Sequence, residues 1–249
     1  MIHIFTSVVN RPDFVELQNK LFKKFLKNSY GFHIIDDSII ESIESQFQSV
    51  CSENGLKYYK KPPRATALNP AQACADTVQW TYNNIIRKNH SDDIVFFLDS
   101  DMFLIDEFDI EEYMKDSIIS GLPQIRGHVT YMWNGIMFFN MTNIKDKDID
   151  FSDGMVEGEM TDVGGHTYWY FKKNNISMKE TDVQYPTHYN DINLQKDAGG
   201  YNMELHLDGK FLHYRAGTNW HTQSSWKSKE DPLRVKAEIF NQIIKDFID

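Results

Sequence analysis

Two aspartates, Asp99 and Asp101, flank Ser100 at the end of an unbroken apolar run, Ile-Val-Phe-Phe-Leu over 94–98. Such a run reads as a strand buried on both faces, and strands of a parallel sheet present ligand sites at their C-terminal ends. Carboxylates one residue apart repel each other, and a bound divalent cation relieves that repulsion. Hard oxygen donors favour Mg2+ or Mn2+, which can bridge the carboxylates to the oxygens of a diphosphate. The ordinary alternative for the same residues is a solvated turn.

Charge makes the cation more than decorative. The 249 residues carry 26 Lys and Arg against 36 Asp and Glu, a formal net charge of −10. With no Lys/Arg block, nucleic-acid binding is excluded as a working reading, since it rests on neutralising phosphates. An acidic chain also meets an anionic diphosphate poorly unless a metal supplies positive charge. The two cysteines, Cys51 and Cys74, have no partner at zinc-ligand spacing and read as small core residues. No signal-peptide pattern and no run near the ~20 apolar residues of a membrane span is present, so a soluble, cytoplasmic protein is expected. Sequons at Asn89, Asn140 and Asn175 read as accidental, because Asn140 closes an apolar stretch that should be buried.

The elements that must position these residues alternate in the first half. Strands are expected at 2–9, 32–35, 56–60 and 94–98. Between them come an amphipathic helix after Asp13, a second opened by a Ser38/Glu41 capping box, and a third opened by Asn69 and Pro70 and running to about Lys88. This order predicts an α/β domain with a mixed, mainly parallel sheet flanked by helices. The second half is less regular, with strands at 118–125, 136–140, 201–207 and 211–214 and a short helix at 166–173. A last helix opens at Asp231 and Pro232. It carries Ile239, Phe240, Ile243, Ile244 and Phe247 on one side, with Lys236, Glu238, Lys245 and Asp246 read as its polar face. Lacking a strongly basic face, it is expected to pack on the protein, not on a membrane. We read residues 1–249 as one domain, with a nucleotide-binding half to about 122 and an acceptor-binding half from about 123.

The segment Val-Phe-Phe-Leu-Asp-Ser-Asp-Met-Phe over 95–103 resembles the Asp-x-Asp segment of GT-A-fold (Rossmann-like) glycosyltransferases. Trp133-Asn134-Gly135-Ile136-Met137-Phe138-Phe139-Asn140 is similar to a strand that follows that motif in glycogenin-like retaining enzymes. His213-Tyr214-Arg215-Ala216-Gly217-Thr218-Asn219-Trp220 resembles their late His-x-x-Gly…Trp segment. It departs from that segment by one residue between His and Gly, and no Lys-Pro precedes Trp220. The resemblance implies a metal-dependent transferase using Mn2+ or Mg2+, with Asp99, Asp101 and His213 around the metal. Its donor would be a UDP- or GDP-sugar and its acceptor a hydroxyl of a glycan or other molecule. Residues implied at the nucleotide-sugar are Thr6, Ser7, Asn10, Arg11, Asp36, Asp76, Ser100, Arg215 and Gly217. Those implied at the acceptor are Trp133, Asn134, Gly135, Trp169 and Trp220. Asp162, before Gly164-Gly165, is the candidate catalytic base, with Glu157 and Glu159 as rivals. Capping, turn and core roles remain open for each of these taken singly. A HAD-like phosphohydrolase also places Asp-x-Asp after an apolar strand, but expects Thr or Val where Phe103 stands. An inactive nucleotide- or carbohydrate-binding module is the non-enzymatic alternative.

Overall fold

The computed structural model describes residues 1–64, 69–189, 192–193, 203–215 and 230–248. The chain forms two compact units that alternate along it. One comprises Met1–Pro12, Asn28–Asp99 and Asp109–Thr181; the other comprises Asp13–Lys27, Ser100–Phe108 and Asp182–Asp249.

The first unit is built on a seven-stranded sheet. Its strands are β1 (Ile2–Val8), β2 (Tyr30–Asp36), β3 (Lys57–Lys60), β4 (Ile94–Asp99), β6 (Ile119–Arg126), β7 (Val129–Asn140) and β10 (Lys179–Glu180), in the order β10-β6-β7-β4-β1-β2-β3. Strands β3, β2, β1 and β4 run parallel, as do β10 and β6, and β7 is antiparallel to both β4 and β6. This is the mixed, mainly parallel α/β sheet expected from the alternating first half. Strand order reverses at β1, which has β2 on one side and β4 on the other, and ligands of open α/β sheets bind at such switch points. Ser7 lies opposite Asp99 there, and Val8 opposite Asp36. Helices α2 (Glu41–Asn54) and α3 (Pro70–Thr81) follow β2 and β3, and α3 continues through a π-helical turn, Tyr82–Ile86, into α4 (Arg87–Asn89). Val78, Tyr82, Ile85 and Ile86 pack against Phe5, Phe97, Phe139 and Phe151 in the core. The remaining elements are the short α5 (Ile110–Met114), the hairpin β8 (Gly154–Val156) and β9 (Glu159–Thr161), and α6 (Thr167–Asn174).

Two helix starts show how local competition decides a cap. Asn69 accepts the Gln72 amide at 2.9 Å and Gln72 returns the bond, the reciprocal box that a helix beginning at Pro70 calls for. The Ser38 box does not form: α2 begins at Glu41 with Ile40 as its cap and no side-chain capping bond. Ser38 is held instead by its neighbours, its amide donating to Asp36 Oδ1 at 2.7 Å and its carbonyl and hydroxyl accepting from Lys60.

The second unit has the antiparallel sheet β11-β14-β15-β5, made from β5 (Met102–Leu104), β11 (Val183–Gln184), β14 (Glu204–His206) and β15 (Phe211–His213). A two-stranded ladder, β12 (His188–Tyr189) with β13 (Ile192–Asn193), lies in the same unit. Helix α1 (Pro12–Phe25) and the C-terminal helix (Glu230–Ile248) supply the other layer. Phe14 and Leu21 from α1, Phe103 and Leu212 from the sheet, and Ile239, Phe240, Ile243 and Ile244 from the last helix form one buried cluster. The apolar side of that helix is thus consumed by protein packing, as its mixed charges suggested. Among the described residues no helix is long and apolar enough to cross a membrane.

Phe240 is the hub of this cluster, its ring centroid 5.0 Å from Phe103 and 4.6 Å from Tyr214. Phe240→Ala is expected to cost about 3–5 kcal/mol in urea unfolding, the range for a fully packed aromatic. A loss below about 1 kcal/mol would mean that the helix is not an integral part of the unit.

Candidate active site

In the second unit, antiparallel pairing sets Glu204 of β14 opposite His213 of β15, and the period of two puts His206 on the same face as Glu204. His213 Nδ1 hydrogen-bonds Glu204 Oε2 at 2.9 Å, and its Nε2 lies 3.5 Å from Asp101 Oδ1. Asp101 is brought beside the end of β15 by its own backbone, whose carbonyl accepts the Tyr214 amide at 2.8 Å. The Glu204 carboxylate also lies 3.4 Å from His206 Nε2 and 3.3 Å from an Arg215 guanidinium nitrogen. Lys236, fully buried, donates to the Arg215 carbonyl at 3.0 Å and sits 4.5 Å above the Tyr214 ring.

The charges respond to this packing. Burial works against a charged His213, but Asp101 and Glu204 outweigh it and raise the imidazole to about 9. Burial likewise pushes Glu204 up, yet bonds from His206 and His213 and the Arg215 charge hold it well below the usual carboxylate range. Burial dominates at Lys236, lowering it to about 7 against the pull of Asp101. His206 is held below its ordinary value by burial. The row Asp101–His213–Glu204 is therefore an acid–imidazole–acid arrangement in which one carboxylate orients the ring and the ring's other nitrogen faces the second. Ligand atoms of Glu204, His206 and His213 also all lie within 4.8 Å of one another, a spacing a cation could draw together.

The first unit gathers most of the other expected residues. Thr6 and Ser7 end β1 beside the end of β4, with Asn10 and Arg11 just beyond. Asp36 is fully buried and both its oxygens are engaged, Oδ1 by the Ser38 amide and Oδ2 by Tyr58 at 2.7 Å and Lys60 at 3.1 Å. Asp76 accepts from Lys61 at 2.6 Å and Arg64 at 3.0 Å, and Arg64 also grips Asp37. These two carboxylates thus tie β2, β3 and α3 together. The loop carrying Asp162 docks on β7: Gly164 adopts φ +86°, and a Cβ there would stand 1.9 Å from the Met132 carbonyl oxygen. Only glycine allows that approach. Asp162 caps its own loop, its amide donating to Tyr131 Oη at 3.0 Å and its carboxylate accepting from Val163. Trp133, Asn134 and Gly135 lie on β7 next to this loop, and Asn134 Nδ2 donates to the Phe151 carbonyl at 3.3 Å. Trp169 on α6 is partly exposed, while Glu157 is engaged by Lys172 and Tyr168. Ser100 is buried in the second unit, and Gly217 and Trp220 lie outside the described residues.

Sequence reasoning missed Glu204, His206 and Lys236. The first two had a legible signal, a Glu-x-His alternation one turn before His213. By residue type Lys236 belongs to the polar face of its helix, and the structure corrects this by burying it. It stands three and four residues before Ile239 and Phe240, on the apolar row, and is buried with them.

No protein-family model and no curated protein sequence matches the chain. Among solved structures it is similar to the galactosyltransferase LgtC in complex with donor and acceptor sugar analogues, at 13% identity and a TM-score of 0.39, covering 56% of this chain and 58% of that one. It is similar to the bifunctional glycosyltransferase WbbM at 11% identity and 0.37, covering 56% of this chain and 31% of that one. A mannosyltransferase from Pyrobaculum calidifontis in complex with GDP-Man and Mn2+ matches at 9% identity and 0.39, covering 59% of this chain and 48% of that one. The chain thus spans less than two thirds of each of these three.

If Glu204 orients and charges His213, Glu204→Gln should lower the His213 pKa by at least about one unit, because an anionic acceptor becomes neutral. Histidine side-chain NMR across pH 5–10 reads this directly. An unchanged His213 titration would show that Glu204 has no hold on the ring.

Proposed function

We propose that the chain is a metal-dependent glycosyltransferase that moves a sugar from a UDP- or GDP-sugar to a hydroxyl acceptor. The observation that carries this reading is the buried Asp101–His213–Glu204 row, built onto an Asp-Ser-Asp sequence that begins with the last residue of β4, the strand paired with β1. Asp101 and His213 are the proposed ligands, one a hard carboxylate oxygen and the other an imidazole nitrogen whose ring is aimed by Glu204. Asp99, separated from Asp101 only by Ser100, is the third. These residues fit Mn2+ or Mg2+, the first more readily because it accepts imidazole alongside carboxylate. Such an ion, when bound, would neutralise the diphosphate leaving group.

The protein's own part is binding and orientation. Thr6, Ser7, Asn10 and Arg11 line the end of β1, where a nucleotide is proposed to sit, and Arg215 offers a further positive charge. Ser100 and Gly217 are proposed contacts of the same donor, and Asp36 and Asp76 remain proposed at its base and sugar. Each of those two must share its oxygens with the partners it already holds. On the acceptor side, Asp162 is the proposed base, with Trp133, Asn134, Gly135, Trp169 and Trp220 as the surface that receives the sugar. A base must reach the hydroxyl proton it removes, and an Asp fixed by a loop docked on β7 is suited to hold that position.

Two outcomes test the reading. Asp101→Asn should abolish Mn2+-dependent binding of UDP or GDP in calorimetry while the chain stays folded; retention of metal-dependent binding would sink the ligand assignment. The pH dependence has a definite sign. His213 must lose its proton to bind a cation, and in the metal-free protein that proton is held up to about pH 9. Metal affinity should therefore climb by up to about tenfold per pH unit from pH 6 to 9. An affinity flat across that window would remove His213 from the coordination sphere.

A further inference from the structure

The first unit buries three histidines side by side, toward the opposite end of the sheet from Asp99. His3 stands near the start of β1, His33 in β2, and His90 at the end of α4; all are buried, and His33 is fully so. His3 Nδ1 lies 2.9 Å from His33 Nε2, and the His3 and His90 ring centroids are 3.8 Å apart. Around them the surroundings are aromatic, with Phe5 stacked on His33 at 4.4 Å and Tyr59 at 5.9 Å. Lys57 and the Met1 amine are the nearby cations, and Asp93 the nearby carboxylate.

Asp93 fixes the tautomers. Its Oδ2 lies 3.3 Å from His3 Nε2 and 3.2 Å from His90 Nδ1, while its Oδ1 accepts from the Met1 amine at 3.1 Å. A neutral imidazole that donates from one nitrogen presents a lone pair on the other. His3 thus offers Nδ1 and His90 offers Nε2 as acceptors, and His33 Nε2 donates to His3. His33 Nδ1 is then left buried with no hydrogen-bond partner among the described residues. Three buried imidazoles converging in an apolar core, joined by one ring-to-ring hydrogen bond and one shared carboxylate, are poor packing unless something else holds the rings together. Gly31 is a second sign: a Cβ there would stand 3.0 Å from His3 Nδ1 and 3.1 Å from His33 Nε2, so any larger residue would press on the nitrogens.

We propose that His3, His33 and His90 form a binding site for Zn2+, with Asp93 as the carboxylate that orients the His3 and His90 rings and balances part of the charge. One nitrogen from each histidine already lies within 4.8 Å of the other two. Zinc–nitrogen bonds of about 2.0–2.1 Å in a tetrahedron set ligands roughly 3.3 Å apart, so the His3–His33 pair, now at 2.9 Å, opens slightly. The proton on His33 Nε2 passes to Nδ1 of the same ring, with no net gain or loss. Imidazole donors suit zinc, whereas Mg2+ and Mn2+ prefer oxygen, so this site and the Asp101 site select different ions. The ion would staple β1, β2 and the turn into β4.

The test uses the full chain carrying His213→Ala, which removes the imidazole of the other candidate site. After chelator stripping, Zn2+ is titrated against a chromophoric chelator and X-ray absorption is recorded at the zinc edge. The expected result is one zinc per chain with three imidazole ligands. His33→Gln should lower the affinity at least about 100-fold, and Asp93→Asn about 10–100-fold as an orienting partner. Gly31→Ala should weaken binding as well. His33→Gln in the otherwise native chain should leave Mn2+-dependent UDP binding unchanged. If His33→Gln does not fold, the absorption spectrum of the parent decides: zinc bound through fewer than three imidazoles, or no zinc retained at micromolar concentration, overturns the proposal.

Discussion

Buried charge must find a counterion, and in the second unit that requirement organises everything around His213. Asp101 and Glu204 are both removed from water, and an uncompensated buried carboxylate is strongly destabilising. One imidazole serves both, which is why its proton is held far above its ordinary range. The arrangement depends on the β14–β15 register that sets Glu204 against His213, on the Tyr214–Asp101 backbone bond, and on the last helix, which brings Lys236 beneath the Tyr214 ring. Without a metal the proton is the counterion. A divalent cation between Asp101 and His213 would replace it with twice the charge, and Glu204 would go on aiming the ring. The geometry that satisfies electrostatics in the free protein is thus the geometry proposed to receive the ion.

Carboxylates in the first unit are satisfied differently. Asp36 is closed by Ser38, Tyr58 and Lys60, and Asp37 and Asp76 share Arg64 and Lys61. Here fixed side-chain cations and hydroxyls complete the acids, so strands and helix are tied without an ion. In the second unit one ring joins two acids with a depressed lysine nearby, whereas in the first unit each acid already holds several fixed partners.

Much of the architecture was legible because burial writes itself into the residue pattern. The apolar run ending at Asp99, the helical face of α1 and the Asn69-Pro70 start each appear where local preference and tertiary packing agree. Where the two disagree, the sequence misleads. Ser38 has the right spacing for a cap, but Lys60 and Asp36 compete for it across β2 and β3, contacts no local rule contains. Strand β5 is three residues long and exists only because β15 pairs with it. Lys236 reads as solvent-facing by type, although its spacing from Ile239 and Phe240 put it on the buried side. Glu204 acquires its role from strand register alone. Roles set by partners distant in sequence were the ones that pattern and spacing could not supply.

The most direct measurement is paramagnetic broadening of histidine side-chain resonances by substoichiometric Mn2+ in the presence of UDP. Nine histidines give a compact spectrum, and each ring reports its own distance from the ion. If Asp101 and His213 hold the cation, the His213 ring must broaden first, followed by His206, before any change at His3, His33 or His90. Loss of the His3, His33 and His90 signals ahead of His213, or a His213 resonance that persists at saturating Mn2+, would contradict the metal site on which the glycosyltransferase reading stands.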